Sequence, residues 1–313
     1  MTETAASAPP ASRSARTVER PVTDAERKAA LAGLFDRSAP TYERVGVNHF
    51  ADLGERLVAL ADVLPGDRLL DIGCGTGAVL VPAARATGTT GSAVGVDLSA
   101  GMVARSRAAL READLRHAHA VVADAETIDW SPQEGVAPPA NGSLDVVFAG
   151  ISLFFLPHPR QAVARYRELL GPGGRLALSW WGRPDPRWDP VFAASAPYGR
   201  GGSSHALPED SPFRSVEALH AMLEEAGYAT AETVEQSCVT RFRGPHQWWD
   251  WVWSTAGRMF WEGVPAESRE RAEAAVNAEL DRLRAPDGSL TTTSAVRFTV
   301  ARAQRAPDAG AMR

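Results

Sequence analysis

A glycine-rich turn between an apolar segment and a helical pattern limits the folds open to this chain. Residues 69–80 read LLDIGCGTGAVL, with glycine at the alternate positions Gly73, Gly75 and Gly77. Glycine at such a turn lets backbone N–H groups approach a ligand closely. In open α/β sheets the ligand lies beyond the carboxyl ends of the strands, so this first turn is the expected binding site.

Strand and helix patterns alternate after this turn. Apolar strand candidates follow one another in RLLDIG, AVGVDL, HAVVADA, LDVVFAG and RLALSWW. Amphipathic helix patterns separate several of them, with Ser99 as the expected N-cap of one helix and Gly171 as the expected end of another. AETVEQSCVTRFR and residues 294–303 are candidates for two further strands. Repeated units of this kind predict an α/β fold with a parallel sheet covered on both faces.

Segments outside this core have a different character. Residues 182–214 are rich in proline and glycine, which favours a long loop or lid. Two helix patterns lie between the last two strand candidates, where a hairpin would suffice. The predicted units are a disordered leader at 1–22, N-terminal helices that cover the ligand at 23–66, a core at 67–243 plus 291–304 with a lid at 182–214, a Trp-rich helical cap at 244–290 and a disordered tail at 305–313.

The composition argues against several classes of function. The net charge is −5 without a basic stripe, so we expect no nucleic-acid partner. No run approaches the roughly 18–20 apolar residues of a membrane span, and the N-terminus lacks the apolar core of a secretory signal. Cys74 and Cys238 lie far apart without metal-ligand spacing, so we expect no metal site, reduced thiols and a cytoplasmic location.

Three details distinguish the candidate ligands of the glycine turn. The spacing G-C-G-T-G lacks the last glycine of the G-x-G-x-x-G pattern that binds the pyrophosphate of NAD. Asp71 precedes the turn, and its carboxylate would repel a pyrophosphate but attract an ammonium group. Asp97 and Asp124 end the next two strand candidates, where they can accept hydrogen bonds from ribose hydroxyls and from an adenine amine. The ligand implied is adenosine with a cationic tail and no phosphate, which describes S-adenosylmethionine.

Five motifs in this order resemble those of class I S-adenosylmethionine-dependent methyltransferases. They are LLDIGCGTG, GVDLSAGMV, VVADAETI, LDVVFAGISLFFLPHP and LLGPGGRLALSWW. Upstream, FDRSAPTY is similar to the entry segment of the subgroup that includes ubiquinone, menaquinone and many natural-product methyltransferases. The resemblance covers about residues 35–181. It implies a Rossmann-like sheet of seven strands with helices on both faces, N-terminal helices and an inserted helical cap.

The resemblance also implies which residues bind the cofactor. Asp71 would lie near the amino group, Asp97 would hold the ribose hydroxyls and Asp124 would read the adenine edge. The assigned residues are Tyr42, Asp71, Gly73, Cys74, Gly75, Gly77, Asp97, Leu98, Met102, Asp124, Ala125 and Gly150. Other roles stay open for three of them: Met102 as a core side chain, Asp124 as a helix cap and Asp71 as a partner of nearby backbone N–H groups.

Histidines are the candidates for a general base, which methyl transfer requires only when the acceptor must lose a proton. His158 follows the fourth strand candidate, and His49, His205 and His246 lie in the N-terminal cover, the lid and the cap. Each has the alternative role of a surface or hydrogen-bonded structural residue. We therefore predict His158, His49 or His246 as the base.

Aromatic residues cluster in WWDWVW at 248–253 and after the fourth and fifth strands. Helical spacing predicts that Trp249, Trp253 and Phe260 share one stripe, whereas Trp248 and Trp251 fall elsewhere. About half of these rings are expected to attach the inserted helices to the sheet, and the others to roof a pocket. The predicted pocket residues are Phe154, Phe155, Trp181, Trp249 and Trp253. Such a pocket would suit a planar or lipophilic acceptor, or a cation.

These features favour an S-adenosylmethionine-dependent methyltransferase that acts on oxygen or carbon of a small, largely apolar or aromatic metabolite in natural-product biosynthesis. Three alternatives stay open: a quinone-biosynthesis C-methyltransferase, a peptide or protein methyltransferase, and a non-methylating S-adenosylmethionine-binding relative such as a cyclase or scaffold. Exposed tryptophans in the inserted helices would also favour a homodimer through them.

Overall fold

One mixed sheet of seven strands organises the chain, of which the computed structural model describes residues 20, 22–132, 135–199 and 210–304. The strands are β1 Arg68–Ile72, β2 Ser92–Asp97, β3 Ala118–Val122, β4 Leu144–Gly150, β5 Leu170–Trp181, β6 Tyr228–Phe242 and β7 Leu290–Ala303. Their order in the sheet is β3-β2-β1-β4-β5-β7-β6. Neighbouring strands from β3 to β5 are parallel, whereas β7 runs antiparallel between β5 and β6. The predicted seven-stranded Rossmann-like sheet is confirmed.

Ten α-helices in the described ranges accompany the sheet. They are α1 Asp24–Ser38, α2 His49–Ala61, α3 Leu80–Thr87, α4 Ala100–Glu112, α5 Pro159–Leu169, α6 Asp189–Ser195, α7 Val216–Glu225, α8 Pro245–Ser254, α9 Arg258–Glu262 and α10 Ala266–Leu283. Ser99 caps α4 as predicted, because its Oγ accepts a hydrogen bond from the backbone N–H of Met102 at 3.0 Å. None of these helices is both long and apolar enough to cross a bilayer.

Apolar layers cover both faces of the sheet. In β1 and β4, Leu69 and Val146 point to one face, whereas the next residues, Leu70 and Val147, point to the other. The first layer packs against α2, α3 and α4, and the second packs against α5 and α7. Burial on both faces explains why these strands are continuously apolar in sequence.

The fifth strand begins earlier than predicted. Because α5 ends at Leu169 and β5 follows at once, Gly171 lies inside the strand and does not end the helix. A Cβ atom at Gly171 would lie 3.1 Å from the carbonyl oxygen of Gly142. Glycine at this position therefore permits a close approach between two backbone segments.

The segment inserted between β6 and β7 contains three helices, where two were predicted. The Trp-rich pattern breaks at Thr255, whose backbone is extended, and α9 begins after Gly257. The three helices form a third apolar cluster with Phe242 of β6 and Leu290 of β7. The tryptophans of α8 are buried or half-buried, so the homodimer prediction loses the exposed surface on which it rested.

The predicted lid is partly helical. α6 lies within it and contributes Val191 to the third apolar cluster. Residues 200–209 of the lid, which include His205, lie outside the described residues. The same holds for the predicted tail and for all of the predicted leader except residues 20 and 22.

Candidate active site

The chain leaves β1 through the glycine turn in a conformation that favours glycine. Gly73, Gly75 and Gly77 have φ angles of 65°, 52° and 98°. A Cβ atom at Gly73 would lie 2.7 Å from the Cβ of Ser152, whereas one at Gly75 would meet nothing within 4 Å. The turn is therefore packed on one side, and its backbone borders a cavity on the other.

Asp71 is a buried carboxylate with an unused acceptor. The residue is 2% exposed, and its Oδ2 has no hydrogen-bond partner among the described residues. Burial raises the pKa of this carboxyl well above its usual range, and the nearby Asp97 raises it further. A cationic ligand would relieve this situation, because an ammonium group supplies both the missing donor and the opposite charge.

Asp97 ends β2 beside the glycine turn. Its Oδ2 accepts a hydrogen bond from the N–H of Gly75 at 3.0 Å, and its Oδ1 accepts one from the N–H of Ser99 at 2.8 Å. Burial raises the pKa of Asp97, and the two N–H donors lower it in part. The carboxylate is thus fixed in orientation, and each oxygen keeps a lone pair for a further donor.

One cavity of about 1540 Å³ begins at this turn and extends to the inserted helices. Ten of the twelve predicted cofactor residues line it, namely Tyr42, Asp71, Gly73, Cys74, Gly75, Asp97, Leu98, Met102, Ala125 and Gly150. Gly77 does not line it, because this residue faces Val81 and Ser106. Ligand pockets measure roughly 300–1,000 Å³, so this cavity has room for two ligands side by side.

Aromatic rings line the part of the cavity that is formed by β5, the turn after β4 and the inserted helices, which we call its aromatic end. The predicted residues Phe154, Phe155 and Trp181 lie in this lining. Further rings in it are those of Trp180, Phe213, Trp248, Trp251, Phe260 and Trp261. This end therefore offers flat apolar surfaces on which a planar molecule can stack.

The structure reverses the predicted faces of α8. The face that lines the cavity consists of Trp248, Trp251, Val252 and Thr255. Trp249 instead donates its Nε1–H to Asn277 at 2.8 Å, and Trp253 packs against the guanidinium of Arg258. The prediction of Trp249 and Trp253 as pocket residues is corrected, because both side chains pack against other parts of the cap.

His49 lies behind the cavity wall. Its Nδ1 shares a hydrogen bond with Oγ1 of Thr240 at 2.8 Å, and its ring stacks on Trp181 with centroids 5.6 Å apart. Burial lowers the pKa of His49 to about 4, so the imidazole is neutral at physiological pH. The residue supports the aromatic wall and is not among those that line the cavity.

The other two predicted bases are also absent from the cavity lining. His158 precedes α5, and its Nε2 lies 2.8 Å from Oδ2 of Asp24 on α1. The side chain of His246 is 95% exposed, and its Nδ1 lies 3.2 Å from Oδ2 of Asp250. Both histidines pair with carboxylates at the surface and lie outside the cavity in which a methyl acceptor would bind.

Asp124 is turned away from the cavity and toward α1. Its Oδ2 accepts a hydrogen bond from Nζ of Lys28 at 2.7 Å, and its Oδ1 accepts one from the N–H of Glu126 at 2.9 Å. These contacts match the alternative of a local capping role and correct the adenine role expected for this side chain. The next residue, Ala125, does line the cavity.

The first two helices contribute lining residues that sequence analysis missed. They are Leu31, Ala32 and Phe35 of α1 with Phe50, Leu53 and Gly54 of α2. The spacing of Leu31 and Phe35 by four residues was the available signal, because it places both on one helical face. Tyr42, between these helices, stacks on Phe50 with ring centroids 5.2 Å apart.

Comparisons with known proteins agree with this geometry. Residues 70–176 match the family model of a methyltransferase domain. The chain is 40% identical over 171 residues to aklanonic acid methyltransferase DauC from Streptomyces sp. (strain C5), a match that covers 55% of this chain and 70% of the relative. It is 33% identical over 286 residues to nocamycin O-methyltransferase from Saccharothrix syringae, which covers 86% of this chain and 97% of the relative. The chain belongs to the class I S-adenosylmethionine-dependent methyltransferases.

A solved structure supports the fold of this methyltransferase. Phosphoethanolamine N-methyltransferase 2 from Haemonchus contortus superposes with a TM-score of 0.53 at 17% identity, over 91% of this chain and 61% of that one. The family model and the two relatives confirm the resemblance drawn from the five motifs, and the enzyme uses S-adenosylmethionine. The unpartnered oxygen of Asp71 and the open backbone at Gly75 fit an adenosine that carries an ammonium tail.

Asp71→Asn tests the charge state of the ligand-free site. Because the folded pKa of this carboxyl lies above its unfolded value, its stabilising effect is present at low pH and is lost as pH rises. We therefore expect Asp71→Asn to have a higher free energy of unfolding than wild type near pH 7.5, with the gain shrinking toward pH 4. Urea denaturation at both pH values measures this difference in the free energy of unfolding.

Asp145→Asn is the control, because its effect on the free energy of unfolding is expected to depend on pH in the opposite direction. Although burial raises the pKa of Asp145, its contacts with Arg68 lower it more strongly, so the net direction is downward. Its stabilising effect is therefore present at neutral pH and fades as pH falls. An Asp71→Asn variant that behaves like Asp145→Asn, with a loss of stability at neutral pH, would contradict the assignment of a buried carboxylate without a cationic partner.

Proposed function

We propose that this enzyme methylates an oxygen atom of a large, mainly apolar aromatic acid in natural-product biosynthesis. The observation that carries the proposal is the continuous cavity from the glycine turn to the aromatic rings, because it can hold cofactor and acceptor together. Two relatives support the acceptor class by their names: one is an O-methyltransferase, and the other acts on aklanonic acid.

The cofactor belongs at the end with the glycine turn. We assign the ribose hydroxyls to Asp97, whose oxygens can accept further hydrogen bonds, and the amino group to the free oxygen of Asp71. Leu98, Met102 and Ala125 would flank the adenine. S-adenosylmethionine, when bound, supplies a sulfonium methyl group that an in-line nucleophile can displace. The acceptor must then lie on the aromatic side of this group.

The acceptor end has no histidine among the described residues that line it. Glu235, a carboxylate in the lining, accepts a hydrogen bond from Nε of Arg297 at 2.8 Å and is therefore already paired with a cation. A carboxylic acid, with a pKa of about 4, is already an oxyanion at neutral pH and needs no protein base. The protein would then contribute alignment of the oxyanion with the methyl group and exclusion of water.

Transfer of labelled methyl groups tests this function. The purified enzyme is incubated with methyl-labelled S-adenosylmethionine and an extract of its native host, and the products are fractionated. We expect label in an organic-soluble compound that releases labelled methanol in alkali, as a methyl ester does. Asp97→Ala should abolish the transfer because the ribose loses its acceptors.

Other outcomes of that experiment are equally informative. Label that resists alkali but leaves in hydriodic acid would indicate a phenolic ether, and would keep oxygen as the methylated atom while removing the carboxylate. Label that resists both treatments would indicate C-methylation and would refute the proposal. Label in protein or nucleic acid would refute the small-molecule acceptor.

Trp251→Ala tests the acceptor end, with Trp249→Ala as the matched control on the same helix. Trp251 lines the cavity, whereas Trp249 is bonded to Asn277. We expect Trp251→Ala to raise the KM of the acceptor by about tenfold or more, because a stacking surface is lost, without changing the affinity for S-adenosylhomocysteine. Trp249→Ala should change this KM by less than about threefold. Equal effects would show that the aromatic end does not bind the acceptor.

A further inference from the structure

Lys28 is the only lysine among the 33 basic residues of the chain, and the assigned chemistry does not use it. It projects from α1, and its Nζ donates to Oδ2 of Asp124 at 2.7 Å and also contacts Oε2 of Glu126. The side chain is 20% exposed. One ammonium group thus joins two carboxylates that flank Ala125 in the loop after β3.

Further contacts link Glu126 back to α1 and complete a closed network of side chains. Glu126 accepts the N–H of His158 through Oε1 at 2.6 Å, and Nε2 of His158 lies 2.8 Å from Oδ2 of Asp24. Asp24 and Lys28 are four residues apart on α1 and therefore lie on the same side of the helix. α1 is tied at two points, to the loop after β3 and to the residue that precedes α5.

This network lies beside the part of the cavity assigned to the adenine. Ala125 lines that part, and α1 presents Leu31, Ala32 and Phe35 to the same cavity. The helix is therefore one wall of the space in which the cofactor would lie. The Lys28 contact fixes the distance between that wall and the end of β3.

The contact also balances charge. Asp124 and Glu126 are both largely buried and would repel each other if the cation between them were removed. Burial lowers the pKa of Lys28, but the two carboxylates raise it and the net direction is upward. The ammonium group therefore stays charged at neutral pH.

We propose that Lys28 is a positioning residue for the cofactor: it fixes α1 across the adenine end of the cavity, and its contact must break before the cofactor leaves. The proposal rests on the assignment of the adenine to this end under the proposed function. It replaces the direct adenine contact expected of Asp124 with an indirect role, in which that carboxylate anchors the helix.

The test compares Lys28→Met with Arg27→Met, which removes an exposed charge one residue earlier on the same helix. The dissociation rate of S-adenosylhomocysteine is measured by surface plasmon resonance, and the acceptor KM at saturating cofactor. We expect Lys28→Met to release the ligand about tenfold faster or more, and Arg27→Met to stay within about twofold of wild type. The acceptor KM should stay within about twofold in both, which a general loss of structure would not allow.

A triple variant separates positioning from simple charge neutralisation. Lys28→Met with Asp124→Asn and Glu126→Gln removes the repulsion between the carboxylates but does not restore the tie to α1. We expect it to release S-adenosylhomocysteine as fast as Lys28→Met alone. A wild-type dissociation rate in either of these two variants would overturn the proposal.

The unmodified protein offers an independent measurement. Because the chain has one lysine, acylation of a side-chain amine reports on Lys28 alone, and mass spectrometry follows it. Saturating S-adenosylhomocysteine should slow this acylation by about fivefold or more, and equal rates would overturn the proposal. If the wild-type protein bound no S-adenosylhomocysteine, the proposed function would fall as well, whereas binding with equal rates would refute only the role of Lys28.

Discussion

The burial of two carboxylates at the ends of neighbouring parallel strands is the constraint on which the rest of the site depends. Asp71 and Asp97 lie near each other because β1 and β2 are paired in parallel, and desolvation raises the pKa of both. Buried charges are unfavourable unless donors meet them. N–H groups meet this need at both oxygens of Asp97, whereas Oδ2 of Asp71 is left to a ligand. A cationic nucleoside would therefore supply the missing hydrogen-bond donor and the opposite charge to Asp71.

The aromatic end of the cavity is formed by elements that are far apart in sequence. β5 contributes Trp180 and Trp181, and the turn after β4 contributes Phe154 and Phe155. The cap between β6 and β7 adds one face of α8. A cavity lined in this way can be changed in the cap without disturbing the glycine turn. The fold and the cofactor end can therefore stay the same while the acceptor changes.

Much of the fold follows from local patterns, whereas contacts between distant segments do not. Glycine spacing and apolar strands predicted the sheet, because burial on both faces leaves a continuous apolar signature. The face of α8 was predicted wrongly, since six neighbouring positions with four tryptophans allow several stripes and the break at Thr255 was not foreseen. His49 and Asp124 found their partners in Thr240 and Lys28, which are 191 and 96 residues away. Such pairings depend on packing, and no pattern within a segment encodes them.

A crystal structure with S-adenosylhomocysteine would test the central claim most directly, that one cavity places the cofactor at the carboxylates and the acceptor among the rings. The account predicts both ribose hydroxyls within hydrogen-bond distance of Asp97, the amino group on Asp71, and the sulfur atom facing Trp181 and Phe154. The space beyond the sulfur should remain large enough for a planar acceptor. A ligand bound in the opposite direction, with its adenine among the tryptophans, would contradict the account.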